Sequence, residues 1–164
     1  MIYLDNLDIP RPLTSAFRCA AYAAWPVGQP SAFGPTIQRT LLACKTVGPF
    51  AGNMAVTIRS FAPHIVDDVW EFTSHFPQCH GAPIGKNNAD ELGIEDPDVN
   101  MNGQQFKVPD GTDRLYWACG ITPRLVAEQA KLPLMISYTP GHALITDILT
   151  ESLYQPASEV ASDL

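Results

Sequence analysis

The amino-acid sequence predicts a mixed α/β (α+β) fold with short strands and two main helices. Two short apolar segments, the second with β-branched residues at alternate positions, flank a Gly/Pro turn, which is typical of a β-hairpin. A later segment repeats apolar residues at the helical spacing of i, i+3, i+4 and i+7. A further apolar run leads into helix start signals, which indicates a strand followed by a helix.

The hairpin is predicted at the start of the regular part of the chain. Residues 40–46 are a candidate strand, and residues 48–52 form the turn. Residues 54–59 follow as the second strand, because Val56 and Ile58 are β-branched and alternate with other residues. We therefore expect the two strands to pair.

An amphipathic helix is predicted over residues 65–76. Pro63 stands where a first helical turn tolerates proline, and Pro77 ends the pattern. Residues 77–112 are expected to be mostly loop, with a short helical turn at residues 89–92. A loop of this length in a compact domain is often functional.

The last regular unit is predicted to be a strand, a helix and a strand. Residues 115–118 are an apolar run of the buried-strand type. Thr122 is expected to cap the helix and Pro123 to be its first residue, with the helix ending before Pro133. Further extended segments are expected at residues 134–138 and 143–148.

Composition favours one soluble domain and argues against several classes of partner. Of the 164 residues, 46% are hydrophobic, which is enough for a core. The formal net charge is -7 and the Lys and Arg residues are scattered, so no nucleic acid partner is expected. No apolar run reaches the roughly 18 residues that span a bilayer, so no membrane partner is expected. Asp5 and Asp8 do not fit a targeting peptide, which favours the cytoplasm, with the mitochondrial matrix as the alternative.

The two ends of the chain differ from its middle. Residues 1–34 are expected to form a divergent, partly ordered leader, and residues 156–164 a polar tail. The domain itself is expected to occupy residues 35–155 and to be incomplete. The cysteines are far apart and form no C-x-x-C pair, so neither a zinc site nor a disulfide framework is expected. They are Cys19, Cys44, Cys79 and Cys119.

The segment W-A-C-G-I-T-P at residues 117–123 is the first candidate for chemistry. A strand would deliver Cys119 to a helix N-terminus, where unpaired N–H groups and the helix dipole attract anions. Gly120 would let a ligand approach the backbone closely, and the same field would lower the pKa of the Cys119 thiol. The alternative is a structural cysteine buried beside a well-capped helix.

Two histidines are the acid/base candidates. His80 lies in a Gly/Pro loop after the first helix, and imidazole titrates near neutral pH. His142 follows a turn, and Asp147 lies close enough in sequence to orient it. The alternative for both is a histidine that is solvated or bonded to its own loop. Arg59 on the second strand could bind a carboxylate bidentately, or it could be an ordinary surface charge.

Several familiar motifs are missing, including G-x-S-x-G, the P-loop, G-x-G-x-x-G and H-E-x-x-H. Five other segments occur in an order that resembles the D-glutamate cyclase family, whose bacterial members are usually labelled hydro-lyases. The resemblance runs from residue 35 to residue 153. The segments are RTLLACKTVGPFAGNMAVTIR (39–59), FPQCHGAPIG (76–85), LGIEDPD (92–98), WACGITP (117–123) and PGHALITD (140–147).

The resemblance implies the C-terminal part of a D-glutamate cyclase-like fold. It implies interconversion of D-glutamate and 5-oxo-D-proline plus water, with no organic cofactor and a small-molecule carboxylate as the partner; a homo-oligomer is compatible with it. A Gly-Cys-Ser-Phe-type segment of the family is not found here, and Tyr138 stands where the family tends to have histidine. The alternative function is a truncated, non-catalytic remnant that binds small carboxylates.

This chemistry suggests roles for the candidate residues. His80 and His142 would exchange protons, Cys119 would carry a proton or line the pocket, and the helix start would bind an anionic oxygen. The predicted catalytic residues are His80, Cys119, His142 and Asp147. The predicted substrate-binding residues are Arg59, which would hold the α-carboxylate, Gly81, Gly120, Thr122 and Gly141.

Overall fold

A four-stranded antiparallel sheet forms the centre of the described structure. The computed structural model describes residues 36–106, 108, 110–136 and 150–156. The strand order is β1-β2-β4-β3, so that β2 and β4 are the two inner strands. The strands are β1 (Thr36–Ala43), β2 (Asn53–Phe61), β3 (Gly85–Lys86) and β4 (Asp113–Ala118).

The predicted hairpin is present as the antiparallel pair of β1 and β2. β1 begins four residues before the predicted strand and ends three residues before its predicted end. Beyond Ala43, Cys44 N–H still donates to the carbonyl of Gly52, at 2.8 Å, and the chain then turns. Val47 and Phe50 exchange two backbone hydrogen bonds at 3.0 Å and close that turn.

The predicted amphipathic helix is present and covers one face of the sheet. A 3₁₀ turn at Pro63–Ile65 leads into α1 (Val66–Ser74). Val66 and Val69 are buried against Phe61 on β2 and against β4, which places the predicted apolar stripe on the core side. Proline at the start of the 3₁₀ turn is tolerated because that N–H has no helical partner in any case.

The opposite face of the sheet is covered by the long loop. Leu92 and Ile94 pack against Val56, Ile58 and Tyr116. The short helical turn predicted at residues 89–92 is present as a single turn, in which Leu92 N–H donates to the carbonyl of Asn88 at 3.2 Å.

Gly93 is the reason that this turn does not continue as a helix. Its φ of +72° reverses the chain, and a Cβ there would lie 2.4 Å from Leu41 Cγ.

β4 and α2 (Ile121–Gln129) form the predicted strand and helix. The prediction that Thr122 caps this helix is wrong: the cap is Gly120, and the Thr122 side chain bonds elsewhere. Residues 134–136 are irregular, and the remainder of the strand predicted at 134–138 lies outside the described residues, as does the segment 143–148. Four strands with two α-helices among the described residues confirm the mixed α/β class.

The N-terminal end of β4 is held by ion pairs. Lys86 Nζ lies 2.9 Å from Asp113 Oδ2, and Arg114 binds both oxygens of Asp98 at 2.8 Å. The bond from Lys86, together with one from Asn87, holds the pKa of Asp113 below its usual range, and the bond to Asp113 raises the pKa of Lys86.

No helix in the described ranges is long and apolar enough to cross a membrane.

Shortening a side chain at the centre of the sheet should destabilise the domain far more than shortening one at the surface. Leu115 is 0% exposed and Leu134 is 74% exposed. We expect Leu115→Ala to lower the free energy of unfolding by about 2–5 kcal/mol, because it leaves a cavity. We expect Leu134→Ala to change it by less than about 0.5 kcal/mol. Urea unfolding measures both, and equal losses would contradict this core.

The Lys86–Asp113 pair should make stability depend on pH at both extremes. Because the folded pKa of Asp113 is lowered, its contribution exists above about pH 4 and is lost as pH falls through the folded value. Because the folded pKa of Lys86 is raised, the contribution of Lys86 to stability exists below about pH 10 and is lost as pH rises further. Asp113→Asn should therefore lower the melting temperature at pH 7, with the difference vanishing near pH 2.

The exposed Asp110 provides the control for that measurement. Asp110→Asn should show no comparable difference between pH 7 and pH 2. A deficit of Asp113→Asn that stays constant over this range would show that the ion pair is not its cause.

Candidate functional site

The candidate site is built around the peptide group that joins Ala118 to Cys119. Its N–H, which belongs to Cys119, donates to the carbonyl of Ala55 on β2 at 2.9 Å. Its carbonyl, which belongs to Ala118, accepts from Nδ1 of His80 at 2.7 Å. One planar peptide therefore connects the inner strand β2 on one side to the candidate histidine on the other.

The imidazole of His80 continues a row of hydrogen bonds along the side of β4 that faces β3. Arg114 O accepts from Asn87 N at 2.9 Å and Tyr116 O from Ile84 N at 2.7 Å. Ala118 O is the next carbonyl in this alternating series, and a side-chain donor takes it instead of a backbone N–H. The carbonyls of Arg114, Tyr116 and Ala118 therefore all have partners, although β3 has only two residues.

The bond to Ala118 also fixes the tautomer of His80. A carbonyl oxygen only accepts, so Nδ1 must carry the proton in this bond. This is the arrangement that general acid/base catalysis requires of a histidine, in which one nitrogen is oriented and the other exchanges protons.

Gly81 and Trp117 hold the loop that carries His80. The indole Nε1 of the buried Trp117 donates to the carbonyl of Gly81 at 3.1 Å. Gly81 N–H donates to Phe76 O at 3.1 Å. Gly81 has a φ of +66°, a conformation that glycine adopts without strain. Gly81 therefore has a backbone role next to His80.

Thr122 joins the start of α2 to β2. Ala55 N–H donates to Thr122 Oγ1 at 2.9 Å, and that hydroxyl donates to Cys119 O at 2.6 Å. The N–H of Thr122 also donates to Cys119 O, at 3.0 Å. Since a hydroxyl has one proton to donate, Thr122 could bind an anionic oxygen only by giving up the bond to Cys119.

The structure brings several predicted site residues together at the end of β4. They are His80, Gly81, Cys119, Gly120 and Thr122. Arg59 pairs with Leu115, four residues before Cys119, which separates the two backbones by about 13 Å along the strand. The remaining predicted residues, Gly141, His142 and Asp147, lie outside the described residues, so their roles stay predictions.

Cys79, which precedes His80 in the sequence, is not one of the predicted site residues. Burial raises the pKa of the Cys79 thiol, so that it stays protonated at neutral pH. Across the ranges that the structure describes, no group of three or more His, Cys, Asp or Glu side chains could hold a metal ion. The site therefore offers the oriented imidazole of His80, the buried thiol of Cys119 and the N-terminus of α2.

Sequence reasoning missed the partners that assemble this site. The carbonyls of Ala55 and Ala118 and the indole of Trp117 hold Cys119, His80 and Gly81 in place. Backbone carbonyls have no side-chain signature, so no sequence pattern could have named them. The indole was a weak signal, because a buried tryptophan usually finds an acceptor for its N–H.

Comparisons with known proteins agree on one family. The model of a family described as D-glutamate cyclase matches residues 32–147. A protein of Bacillus velezensis named "Putative hydro-lyase" is 39% identical over 115 residues, which cover 70% of this chain and 44% of that protein. Proteins of the same description from Bradyrhizobium and Jannaschia are 41% and 40% identical, and the matches cover 42% and 43% of their lengths. The chain spans less than half the length of these relatives.

The hydroxyl of Thr122 should be needed to hold α2 against β2. Thr122→Val keeps the shape but leaves the Ala55 N–H without its acceptor, so we expect a loss of about 1–3 kcal/mol in unfolding free energy. Thr122→Ser keeps the hydroxyl and should lose less than about 1 kcal/mol. Chemical denaturation compares the two, and a loss in Thr122→Val no larger than that in Thr122→Ser would show that the hydroxyl is not what holds α2.

Proposed function

Because this chain belongs to the D-glutamate cyclase family, we propose that it takes part in a hydro-lyase reaction that interconverts D-glutamate with 5-oxo-D-proline and water. The observation that carries the proposal is the bond from His80 Nδ1 to Ala118 O. It holds an imidazole, oriented through Nδ1, beside Cys119 and the N-terminus of α2.

The reaction needs a group that moves protons twice. In cyclisation the ammonium nitrogen of glutamate forms a bond to the side-chain carboxyl carbon, and one carboxyl oxygen leaves as water. The nitrogen goes from three hydrogens to one, and both protons end on the departing oxygen. Nε2 of His80 takes a proton from the nitrogen and delivers it to that oxygen, as a general base and then a general acid.

The tetrahedral intermediate carries negative charge on oxygen, which the start of α2 can stabilise. Since the hydroxyl of Thr122 is already engaged, we assign this role to the N–H groups of Gly120 and Ile121, the first of the helix. Donors placed in this way contribute about 10²–10³-fold in rate. The substrate is a single molecule, so it supplies much of the proximity itself.

The other predicted residues complete the proposal. Cys119 carries a proton or forms the pocket wall beside Gly120, and Gly81 keeps the backbone next to His80 open to the substrate. Arg59 is proposed to hold the α-carboxylate through a bidentate contact. His142 is the second acid/base candidate, with Asp147 as its orienting residue and Gly141 in the same turn.

Replacing the proposed proton carrier while keeping its hydrogen bond should slow turnover strongly without abolishing it. In His80→Asn the amide nitrogen takes the place of Nδ1 and can still donate to Ala118 O, but no titrating nitrogen remains. We expect kcat to fall by about 10²–10⁴-fold. The purified chain is incubated with D-glutamate or with 5-oxo-D-proline, and chiral chromatography follows both.

His64→Asn is the matched control, because His64 is exposed in the 3₁₀ turn before α1. It should leave kcat unchanged. If the unsubstituted chain turns over no faster than His80→Asn and Cys119→Ala, the catalytic proposal fails. Calorimetry then decides the alternative: heat of D-glutamate binding without conversion supports a non-catalytic carboxylate-binding domain.

A further inference from the structure

Residues 153–155 are bound to the end of α1 through backbone and side-chain bonds. Gln155 N–H donates to the carbonyl of His75 at 2.8 Å. His75 Nδ1 in turn donates to the carbonyl of Gln155 at 2.8 Å. Two bonds between the same two residues fix both the position and the direction of this segment relative to the helix end.

Aromatic contacts extend this attachment to Phe76. The ring of Tyr154 stacks on His75 with centroids 4.8 Å apart and meets Phe76 edge-on at 5.8 Å. Leu153 and Phe76 are both buried, and together they form a cluster with Phe72 and Cys79 packed against it. The segment therefore holds Phe76 from two sides.

Phe76 is also where the turn that carries His80 begins. The carbonyl of Phe76 accepts from Cys79 N–H at 2.9 Å and from Gly81 N–H at 3.1 Å. His80 lies between these two donors. A shift of Phe76 would therefore move both backbone supports of His80 at once.

We propose that residues 153–155, named here the C-terminal latch, position His80 for proton transfer. The catalytic part of this inference rests on the proposed function, whereas the mechanical part rests on the contacts alone. Tyr154 is the main positioning residue, because its ring contacts both His75 and Phe76. It does not touch the reacting atoms and acts through Phe76 and the turn.

The latch can loosen without unfolding the sheet. Its cluster of Leu153 and Phe76 is separate from the two clusters that pack on the faces of the sheet. Tyr154 is 49% exposed, so its truncation removes ring contacts at the surface rather than leaving a cavity in the core. Parts of a protein with such independent contacts open locally at a lower free energy than the whole domain.

Amide hydrogen exchange tests the mechanical part. We expect Tyr154→Ala to speed exchange at Cys79 and Gly81 on the order of tenfold, because two aromatic contacts are lost. The amide of Cys119, which donates to Ala55 on the sheet, should be unchanged and serves as the internal reference. Tyr154→Phe keeps the ring and should exchange like the unsubstituted chain.

Phe50→Ala is the matched control, because Phe50 is 40% exposed and lies in the turn between β1 and β2. It should leave the Cys79 and Gly81 amides unchanged. Faster exchange at Gln155 without any change at Gly81 would overturn the proposal, since the latch would then be a local attachment. Faster exchange at Cys119 as well would also overturn it, since the effect would be global.

Kinetics test the catalytic part. Tyr154→Ala should lower kcat about tenfold with KM little changed, and Tyr154→Phe should restore it. In a His80→Asn background, Tyr154→Ala should have no further effect on kcat, because the residue it positions is gone. An undiminished effect there would contradict positioning of His80. If the unsubstituted chain shows no turnover, the proposed function fails, while the exchange measurement still decides whether the latch holds the turn.

Discussion

The peptide group between Ala118 and Cys119 is the constraint on which the rest of the site depends. Its N–H donates to Ala55 on β2 and its carbonyl accepts from His80, so it is bonded on both sides. A peptide that donates and accepts at once is polarised, and each bond strengthens the other. The plane of this one group sets where the strand ends, where α2 starts and where the imidazole lies.

The two sides of this peptide have different mechanical characters. On the β2 side, Ala55 and Thr122 add further bonds, which tie the start of α2 to an inner strand. On the His80 side, the loop is held by Gly81, Trp117 and the end of α1. Cys119 and the start of α2 are therefore tied to an inner strand, while the position of the His80 ring depends on its loop and on the end of α1.

Sequence periodicity was enough to predict the parts of the fold that repeat. The alternation around Val56 and Ile58 and the stripe containing Val66 and Val69 correspond to a strand and a helix with those residues buried. The start of α2 was misjudged because Thr122 has the side chain of a good cap. Its hydroxyl instead accepts from the N–H of Ala55, 67 residues away, and such a long-range donor cannot be read from local sequence.

The candidate site was predictable as a set of residue types but not as a geometry. The sequence named His80 and Cys119 because of their chemistry, yet nothing in it indicated that Ala118 O would join them. A carbonyl acceptor depends on strand register, and register depends on pairing between segments about sixty residues apart, such as Val56 and Ala118. Arg59 shows the same limit, since its place opposite Leu115 follows only from that register.

The carbonyl of Ala118 can do for His80 what an acidic residue does for histidine in many other sites. When Nε2 takes a proton, the ring becomes cationic and the bond from Nδ1 to this carbonyl becomes charge-assisted and stronger. The carbonyl oxygen has no proton of its own to exchange, so it orients the ring in both protonation states without competing for the transferred proton. Under the proposed function, in which the same nitrogen is protonated and deprotonated twice, a backbone acceptor fixed by β2 would keep the ring in one position throughout.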